Sequence, residues 1–218
     1  MHSLFATVAA SIGWIGVAAA QGFPAKPVRI IVPFAPGGGT DNITRILSPK
    51  LTELLGQTAI VDNRPGGSSQ IGTELVARSA PDGYTLLHID TSFTSNPALF
   101  KKLPYDTVKD FSPVALLGSS PVLLIVHPSV PVKSVKELVA LAKARPGELN
   151  FAAAGTGSAT HLGVELFKSA AGLDIVHIPF RGSGPAAVAV LSGEVTMTMG
   201  GPSSTVPYVT AEIGRAHV

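Results

Sequence analysis

The chain has 218 residues, of which 45% are hydrophobic and 14% are charged, so it has enough apolar material for a sizeable core. The formal net charge of +2, the absence of a basic run and an aromatic content of 6% argue against nucleic-acid binding. The sequence contains no cysteine, which excludes disulfides and thiolate metal sites but leaves the cellular compartment open.

Residues 1–20 have the features of a secretory signal peptide. Leu4 to Val17 is mostly apolar and uncharged, and Ala18-Ala19-Ala20 gives the small-x-small pattern of a cleavage site. The run is too short for a comfortable transmembrane span. No Lys or Arg precedes it, which leaves open an atypical signal or an upstream start, and an N-terminal buried helix is the alternative. We expect this segment to direct export and to be removed.

A strand, a glycine loop and a helix open the remaining chain. The apolar run Val28–Val32 predicts the strand, Gly37-Gly38-Gly39 forms the loop, and helical periodicity starts near Asp41 and ends at Gly56. Glycines let a ligand approach the backbone, and the first turn of a helix offers N–H groups to an anion. No Gly-Lys-Ser/Thr follows, which argues against nucleoside triphosphates. A tight turn without a ligand is the alternative.

Strands and helices continue to alternate after this unit. Residues 90–95 are predicted to be a hydroxyl-rich loop, residues 96–111 are predicted to be irregular, and Ser134 is predicted to cap a helix. The alternation predicts an α/β fold with mainly parallel sheets, whose ligands bind beyond the carboxyl ends of the strands. Further strands are predicted at 58–61, 84–89, 114–117, 122–126, 149–153, 175–178 and 195–199.

Groups suited to catalysis are scarce. The turns at 155–160 and 182–187 are weak dinucleotide fingerprints, and there is no nucleophile elbow. His161 and Glu165 could share a metal, but such a lone pair is more often a local helix contact. Arg181, in a glycine loop, could pair with a carboxylate or be solvated. The sequence therefore favours binding without catalysis, and we expect neither a metal nor a cofactor.

Short motifs rich in proline and glycine run along nearly the whole chain after residue 20. They are Val32-Pro33-Phe34-x-Pro36-Gly37-Gly38-Gly39-Thr40-Asp41, Asn63-Arg64-Pro65-Gly66, Ala80-Pro81-Asp82-Gly83-Tyr84-Thr85-Leu86, Leu103-Pro104-Tyr105-Asp106, His127-Pro128-Ser129-Val130-Pro131, Ala144-Arg145-Pro146-Gly147 and Ile178-Pro179-Phe180-Arg181-Gly182-x-Gly184-Pro185-Ala186. In this order they resemble the substrate-binding proteins of tripartite tricarboxylate transporters, the Bug family. Phe180-Arg181 stands where this family often has Tyr-Lys.

The resemblance implies a two-lobed periplasmic-binding-protein ("Venus flytrap") fold of the α/β class. We expect residues 21–120 to form the N-terminal part of lobe 1 and residues 121–210 to form lobe 2. Family members continue with further elements of lobe 1, so we expect the C-terminal part of lobe 1 to be missing. Residues 211–218 do not follow the family and are expected to be an aberrant tail.

The resemblance also implies a function. It predicts a periplasmic protein, expected to be monomeric, that captures a small organic carboxylate between its lobes and delivers it to the membrane permease of a tripartite transporter. The carboxylate of Asp41 is not expected to touch an anion; it is expected to brace its loop or to contact an amine or hydroxyl group of the ligand. An α/β enzyme acting on an anionic substrate and a periplasmic sensor subunit remain alternatives. The expected ligand-binding residues are Gly38, Gly39, Thr40, Asp41, Thr91, Ser92, Ser158, Thr160, His161 and Arg181.

Overall fold

The computed structural model describes residues 22–210 and the backbone of residues 215–217. The expected signal peptide, residues 1–20, lies outside the described residues. Within the described part of the chain, the search for a helix of sufficient length and hydropathy to cross a bilayer finds none.

The first lobe is built on a three-stranded parallel sheet. The central strand β1 (Val28–Val32) pairs with β2 (Ala59–Asn63) on one side and with β3 (Thr85–Leu87) on the other. Helix α1 (Gly39–Leu55) connects β1 to β2, and α2 (Gln70–Ala77) connects β2 to β3. A central parallel strand is covered on both faces, which explains the continuous apolar run of β1. The predicted strand, loop and helix are all present.

The predictions for the segment after β3 hold only in part. Residues 100–111 are irregular as predicted, but helix α3 (Ser92–Leu99) replaces most of the predicted loop at 90–95 and the start of the predicted irregular segment, despite Pro97 inside it. Ser and Thr favour turns in isolation, but burial of Ser92 and Asn96 overrides that local preference. The predicted strand at 114–117 is not formed, because it has no partner strand among the described residues, and residues 112–122 are all exposed.

The second lobe carries a five-stranded mixed sheet of order β6-β5-β7-β4-β8. Strands β5, β6 and β7 run parallel, whereas β4 is antiparallel to both β7 and β8. The prediction of mainly parallel sheets therefore holds for the first lobe and for three strands of the second. The elements are β4 (Leu123–Val126), α4 (Val135–Ala144), β5 (Asn150–Ala153), α5 (Ala159–Ala171), β6 (Val176–Pro179), α6 (Ser183–Leu191), β7 (Met197–Gly200), α7 (Pro202–Thr210) and β8 (Arg215–His217).

Apolar side chains fill both faces of the second sheet. Phe151 and Leu138 are fully buried on one face, and the alanine-rich helix α6 packs Ala186 and Val190 on the other. Ser134 caps α4, as predicted, because its hydroxyl accepts a hydrogen bond from Glu137 N at 3.2 Å. Strand β8, within the segment expected to be an aberrant tail, extends this sheet at the β4 edge. The sheets hold rigid loops toward a common cleft.

Candidate functional site

The two lobes meet through loops that follow their strands. Ala35 N of the first lobe donates to Arg181 O of the second at 2.8 Å. Farther along the cleft, Ser95 Oγ donates to Gly157 O at 2.7 Å. Asp90 adds a longer contact, because its Oδ2 accepts a hydrogen bond from Ala159 N at 3.4 Å. The structure therefore shows the lobes closed on each other.

A cavity of about 310 Å³ lies between the closed lobes. The first lobe contributes Pro33, residues 65–69 and Ile71 to its wall. The second lobe contributes residues 154–155 and residues 179–181. This volume is at the lower end of the range that small-molecule sites occupy. The closed lobes thus leave between them a partly open space of the size that a small organic molecule needs.

The loop before α2 gives the cavity a wall of backbone N–H groups. Gly67, Ser68 and Ser69 have φ values of 57°, 53° and 72°, so three successive residues adopt the left-handed conformation. Non-glycine residues rarely do so, and such strain concentrates at ligand sites. None of the N–H groups of residues 66–69 donates a hydrogen bond to another described residue. Consecutive free N–H groups in this geometry form an anion-binding concavity.

Arg181 brings a positive charge to the opposite wall. Its residue is exposed, and its guanidinium forms no ion pair with any described carboxylate. The wall residues described include no Asp or Glu. The cavity therefore combines one cation and several hydrogen-bond donors without a competing negative charge.

Asn96 holds the strained loop from behind. It is fully buried, and its Nδ2 donates to Ser68 O at 3.1 Å, to Ser69 Oγ at 3.2 Å and to Tyr105 Oη at 3.1 Å. Ser69 Oγ also lies 3.1 Å from Ser92 Oγ. The expected site residue Ser92 therefore supports the wall of the cavity and does not line it. Thr91, its neighbour, is exposed and is not a wall residue.

The first glycine loop lies at the contact between the lobes and not on the wall of this cavity. Gly38 packs against the start of α6 so closely that an added Cβ would lie 2.6 Å from Ser183 Oγ. Gly39 N donates to the same hydroxyl at 3.3 Å. Neither glycine, nor Thr40 after them, lines the cavity. The absence of side chains on these glycines allows the lobes to approach each other here.

Asp41 braces this loop from inside. Its carboxylate accepts hydrogen bonds from Gly37 N, Asn63 Nδ2 and Arg45 Nε, each between 2.9 and 3.0 Å. Burial raises the pKa of Asp41, but the hydrogen bonds and the charge of Arg45 outweigh burial and hold the pKa below its usual value of 3.8. Asp41 thus stays ionised and fixes the loop, which is one of the two roles expected for it.

The hydroxyl groups of the second lobe organise the turn after β5. Ser158 caps α5, with its Oγ accepting from His161 N at 3.3 Å and donating to Gly155 O at 2.8 Å. Thr160 Oγ1 accepts from Ala154 N at 2.9 Å. Ala154 and Gly155 line the cavity, whereas Ser158, Thr160 and His161 stand behind them. Of the ten expected residues, Arg181 is the one that lines this cavity.

His161 instead faces His177 of β6, with ring centroids 4.3 Å apart. Burial first, and then the neighbouring His161, lower the pKa of His177 to about 4. Burial also lowers the pKa of His161. Phe151 stacks on His177 with ring centroids at 4.8 Å. The pair is therefore neutral at pH 7 and behaves as part of the packing beside α5.

Sequence reasoning did not assign the loop before α2, which lines this cavity, to the site. It did identify a glycine turn after β2. Its glycines and its position after a strand are the same signals that drew attention to the loop at Gly37. The two loops differ in their contacts with the second lobe. The second lobe packs directly against the loop at Gly37, whereas the loop before α2 borders the cavity, and this difference depends on how the two lobes pack.

Comparison with known sequences shows which proteins this chain is similar to. The sequence profile described as "Tripartite tricarboxylate transporter family receptor" matches residues 43–216. BugT of Bordetella pertussis is 42% identical over 200 residues, which are 89% of this chain and 61% of that protein. The chain spans between 54% and 61% of the length of three curated relatives that it matches.

Solved structures extend the similarity to the fold. An R. palustris protein solved with adipate is 36% identical, with a TM-score of 0.85 over 90% of this chain and 66% of that chain. MatC from Rhodopseudomonas palustris with bound malate is 35% identical, with a TM-score of 0.84 over 90% of this chain and 67% of that chain. These neighbours confirm the predicted fold class, the two-lobed α/β fold of periplasmic binding proteins.

Proposed function

This chain belongs to the tripartite tricarboxylate transporter receptor family, and we propose that it is a solute-binding protein that closes its lobes around a small organic carboxylate. The observation that carries the proposal is the cavity between the lobes, which has unpaired N–H groups on one wall and, among the described residues, an arginine without an ion pair on the other. The protein acts in the periplasm as a monomer and delivers its ligand to the membrane permease of a tripartite transporter. It carries out no chemical conversion.

The chemistry of the walls suits a carboxylate. A carboxylate has two oxygens that accept several hydrogen bonds, and it matches the planar fork of a guanidinium. The N–H groups of residues 66–69 supply donors from the first lobe, and Arg181 supplies charge from the second. Hydrogen bonds to a charged group contribute about 1.5–3 kcal/mol each, more than neutral ones. Adipate and malate in the two similar structures are ligands of this chemical class.

Binding and closure are coupled because each lobe carries part of the site. In an open form, the donors of the first lobe and Arg181 of the second are separated, and neither lobe encloses the ligand. A ligand that contacts both stabilises the closed form by the difference between its affinities for the two forms. The permease then recognises the closed form. Asp41, Ser92, Ser158 and Thr160 contribute by keeping the loops in place.

A ligand panel tests the proposal. Thermal unfolding of the purified chain is measured with small carboxylates, phosphate and nucleotides, because a ligand at 100 times its Kd stabilises by about 2.7 kcal/mol. We expect stabilisation by a group of carboxylates and none by nucleotides. Calorimetric titration with the best carboxylate then gives the affinity of Arg181→Ala and of the control Arg145→Ala, whose exposed residue lies at the C-cap of α4.

The arginine variants give a quantitative outcome. Loss of one charged contact predicts an affinity about 10-fold to 100-fold lower for Arg181→Ala and an unchanged affinity for Arg145→Ala. Equal affinities for the two variants would refute the assigned cavity. Chromatography of the ligand after incubation should recover it unchanged. A product whose formation needs Ser158 would instead favour the enzyme.

A further inference from the structure

We propose that the cavity selects carboxylates without an amino group and rejects the corresponding α-amino acids. This inference rests on the proposed carboxylate site and specifies the class of compound that it takes. It follows from the charges of the walls, which offer a cation and unpaired N–H groups but no carboxylate among the wall residues described. An α-amino acid at neutral pH carries an ammonium group, which needs acceptors or a negative charge.

Six carbonyl groups of the cavity loops, those of residues 66–69, 155 and 181, already accept a hydrogen bond. Gly66 O and Gly67 O accept from Ile71 N and Gln70 N, and Ser68 O accepts from the buried Asn96. On the facing loop, Gly155 O accepts from both the N–H and the hydroxyl of Ser158. The carbonyl of Ser69 is likewise used by the N–H and hydroxyl of Thr73, and that of Arg181 by Ala35 N.

The N–H groups of the same loop stand in contrast. Residues 66–69 accept hydrogen bonds at all four carbonyls, yet in the described part of the chain their four N–H groups find no acceptor. The unpaired groups of this loop are therefore mainly hydrogen-bond donors, which favours an anion beside it. A positive wall attracts a carboxylate and repels an ammonium group.

The nearest carboxylates are committed elsewhere. Asp90 accepts from Ser92 N at 2.9 Å and from Ala159 N at 3.4 Å, and it is not a wall residue. Asp41 is held by its own loop and by Arg45. Asn96 Oδ1 is a buried acceptor without a partner among the described residues. It lies 3.2 Å from where a Cβ of Gly157 would stand, and neither residue lines the cavity.

Four side chains of the wall are hydrocarbon. Pro33, Ile71, Pro179 and Phe180 give the cavity an apolar surface that suits the carbon skeleton of an organic acid. An ammonium group placed against such a surface loses its hydration without gaining partners. Sites that leave a polar group unpaired discriminate far more strongly than sites that differ by a methylene group. We therefore expect a preference of at least 10-fold.

Matched ligand pairs test the inference. Calorimetric titration at pH 7.5 compares succinate with aspartate, glutarate with glutamate, and adipate with 2-aminoadipate. Each pair keeps the carbon chain and both carboxylates and differs by the amino group. We expect the unaminated member of the binding pair to have a Kd at least 10-fold lower.

A variant with a new negative charge supplies the converse test. Ser68→Asp places a carboxylate on the wall at a position whose φ of 53° Asp tolerates better than most residues. It should weaken binding of the unaminated acid and shift the ratio toward the amino acid by about 10-fold or more. Ser68→Asn has the same shape without the charge, and it should keep the preference of the unsubstituted chain.

The outcomes separate this inference from the proposed function. Binding of amino acids as tight as, or tighter than, that of their unaminated partners overturns the selectivity but leaves carboxylate binding intact. The inferred selectivity is also overturned if Ser68→Asp and Ser68→Asn change the ratio of the two Kd values in a ligand pair equally. Absence of binding by every member of all three pairs counts against the proposed carboxylate site itself, and the selectivity then fails with it.

Discussion

Gly184, at the start of α6, is the most sensitive point of contact between the lobes. An added Cβ there would lie 2.7 Å from Pro36 O, 3.0 Å from Gly37 C and 3.2 Å from Gly38 N. All three atoms belong to the backbone of the facing loop, so no side chain can rotate away. We therefore predict that Gly184→Ala prevents the lobes from closing to the distance seen in the structure.

The size of the effect follows from these distances. Ordinary van der Waals contact begins near 3.4 Å, so the closest approach is about 0.7 Å too short. Overpacking by one methyl group costs about 1–3 kcal/mol in well-packed surroundings. Because rigid separation of the lobes relieves the overlap, this cost falls on the closed form. A penalty of that size lowers ligand affinity about 5-fold to 150-fold.

Within the second lobe, the same substitution is expected to stabilise helix α6. Gly184 lies in the first turn of α6, and alanine is favoured over glycine in helices by up to about 1 kcal/mol. The free energy of unfolding without ligand should therefore be unchanged or slightly raised. Weaker binding by a protein that is no less stable is the signature expected for a defect in closure.

Three measurements test this prediction. Calorimetric titration with the best carboxylate gives the ligand affinity, urea unfolding gives the free energy of unfolding, and small-angle X-ray scattering gives the compactness with and without ligand. Gly118→Ala is the matched control, because a Cβ there meets nothing within 4 Å. The control should bind as the unsubstituted chain does, and only Gly184→Ala should fail to become more compact with ligand. An affinity within 2-fold of the control would refute the assignment of this contact to closure.

Three further predictions concern stability. Asp41→Asn removes the negative charge that accepts from Gly37 N, and it should lower the free energy of unfolding in urea at pH 7 by about 1–3 kcal/mol. This cost shrinks at pH values below the lowered pKa of Asp41, where the carboxyl is protonated in both the folded and the unfolded state. An unchanged unfolding midpoint would contradict this role. The pKa of His177 is about 4 in the folded chain and its usual value is 6.5, so between these pH values the unfolded chain binds more protons than the folded chain. The free energy of unfolding should therefore fall as pH decreases from 6.5 to 4, and it should fall less in His177→Phe. Parallel pH profiles of the two proteins would contradict this prediction. Asn96→Ala leaves Ser68 O without its buried donor and should cost about 2–3 kcal/mol in unfolding free energy, a prediction that fails if the loss is below 1 kcal/mol.

Local signals in the sequence were sufficient for most elements. Strand β1 and helix α1 have clear periodicity and a glycine at the helix end, and Gly56 does adopt the left-handed conformation with φ of 67°. Helix α3 was missed because its residues individually favour turns and it contains Pro97. Its formation depends on buried contacts of Asn96 with the loop at Ser68, which are 28 residues apart and invisible to a local pattern.

The site was harder to predict than the fold for a related reason. Both glycine loops of the first lobe follow a strand and precede a helix, so the sequence makes them equivalent. The structure separates them through their partners, since Gly38 meets the start of α6 directly, whereas residues 66–69 face the cavity. Residue roles at such a cleft depend on how two separately folded lobes fit together, which neither composition nor spacing encodes.

The exposed segment 112–122 has a consequence for binding strength. It is the covalent tether between the three-stranded and five-stranded sheets, and it has no regular structure and no buried residue. While it is intact, each lobe experiences the other at a high effective concentration, and closure is an intramolecular step. A proteolytic cut near Leu116 would remove the contribution of this tether to that effective concentration. Ligand affinity would then fall, although no residue of the cavity wall had changed.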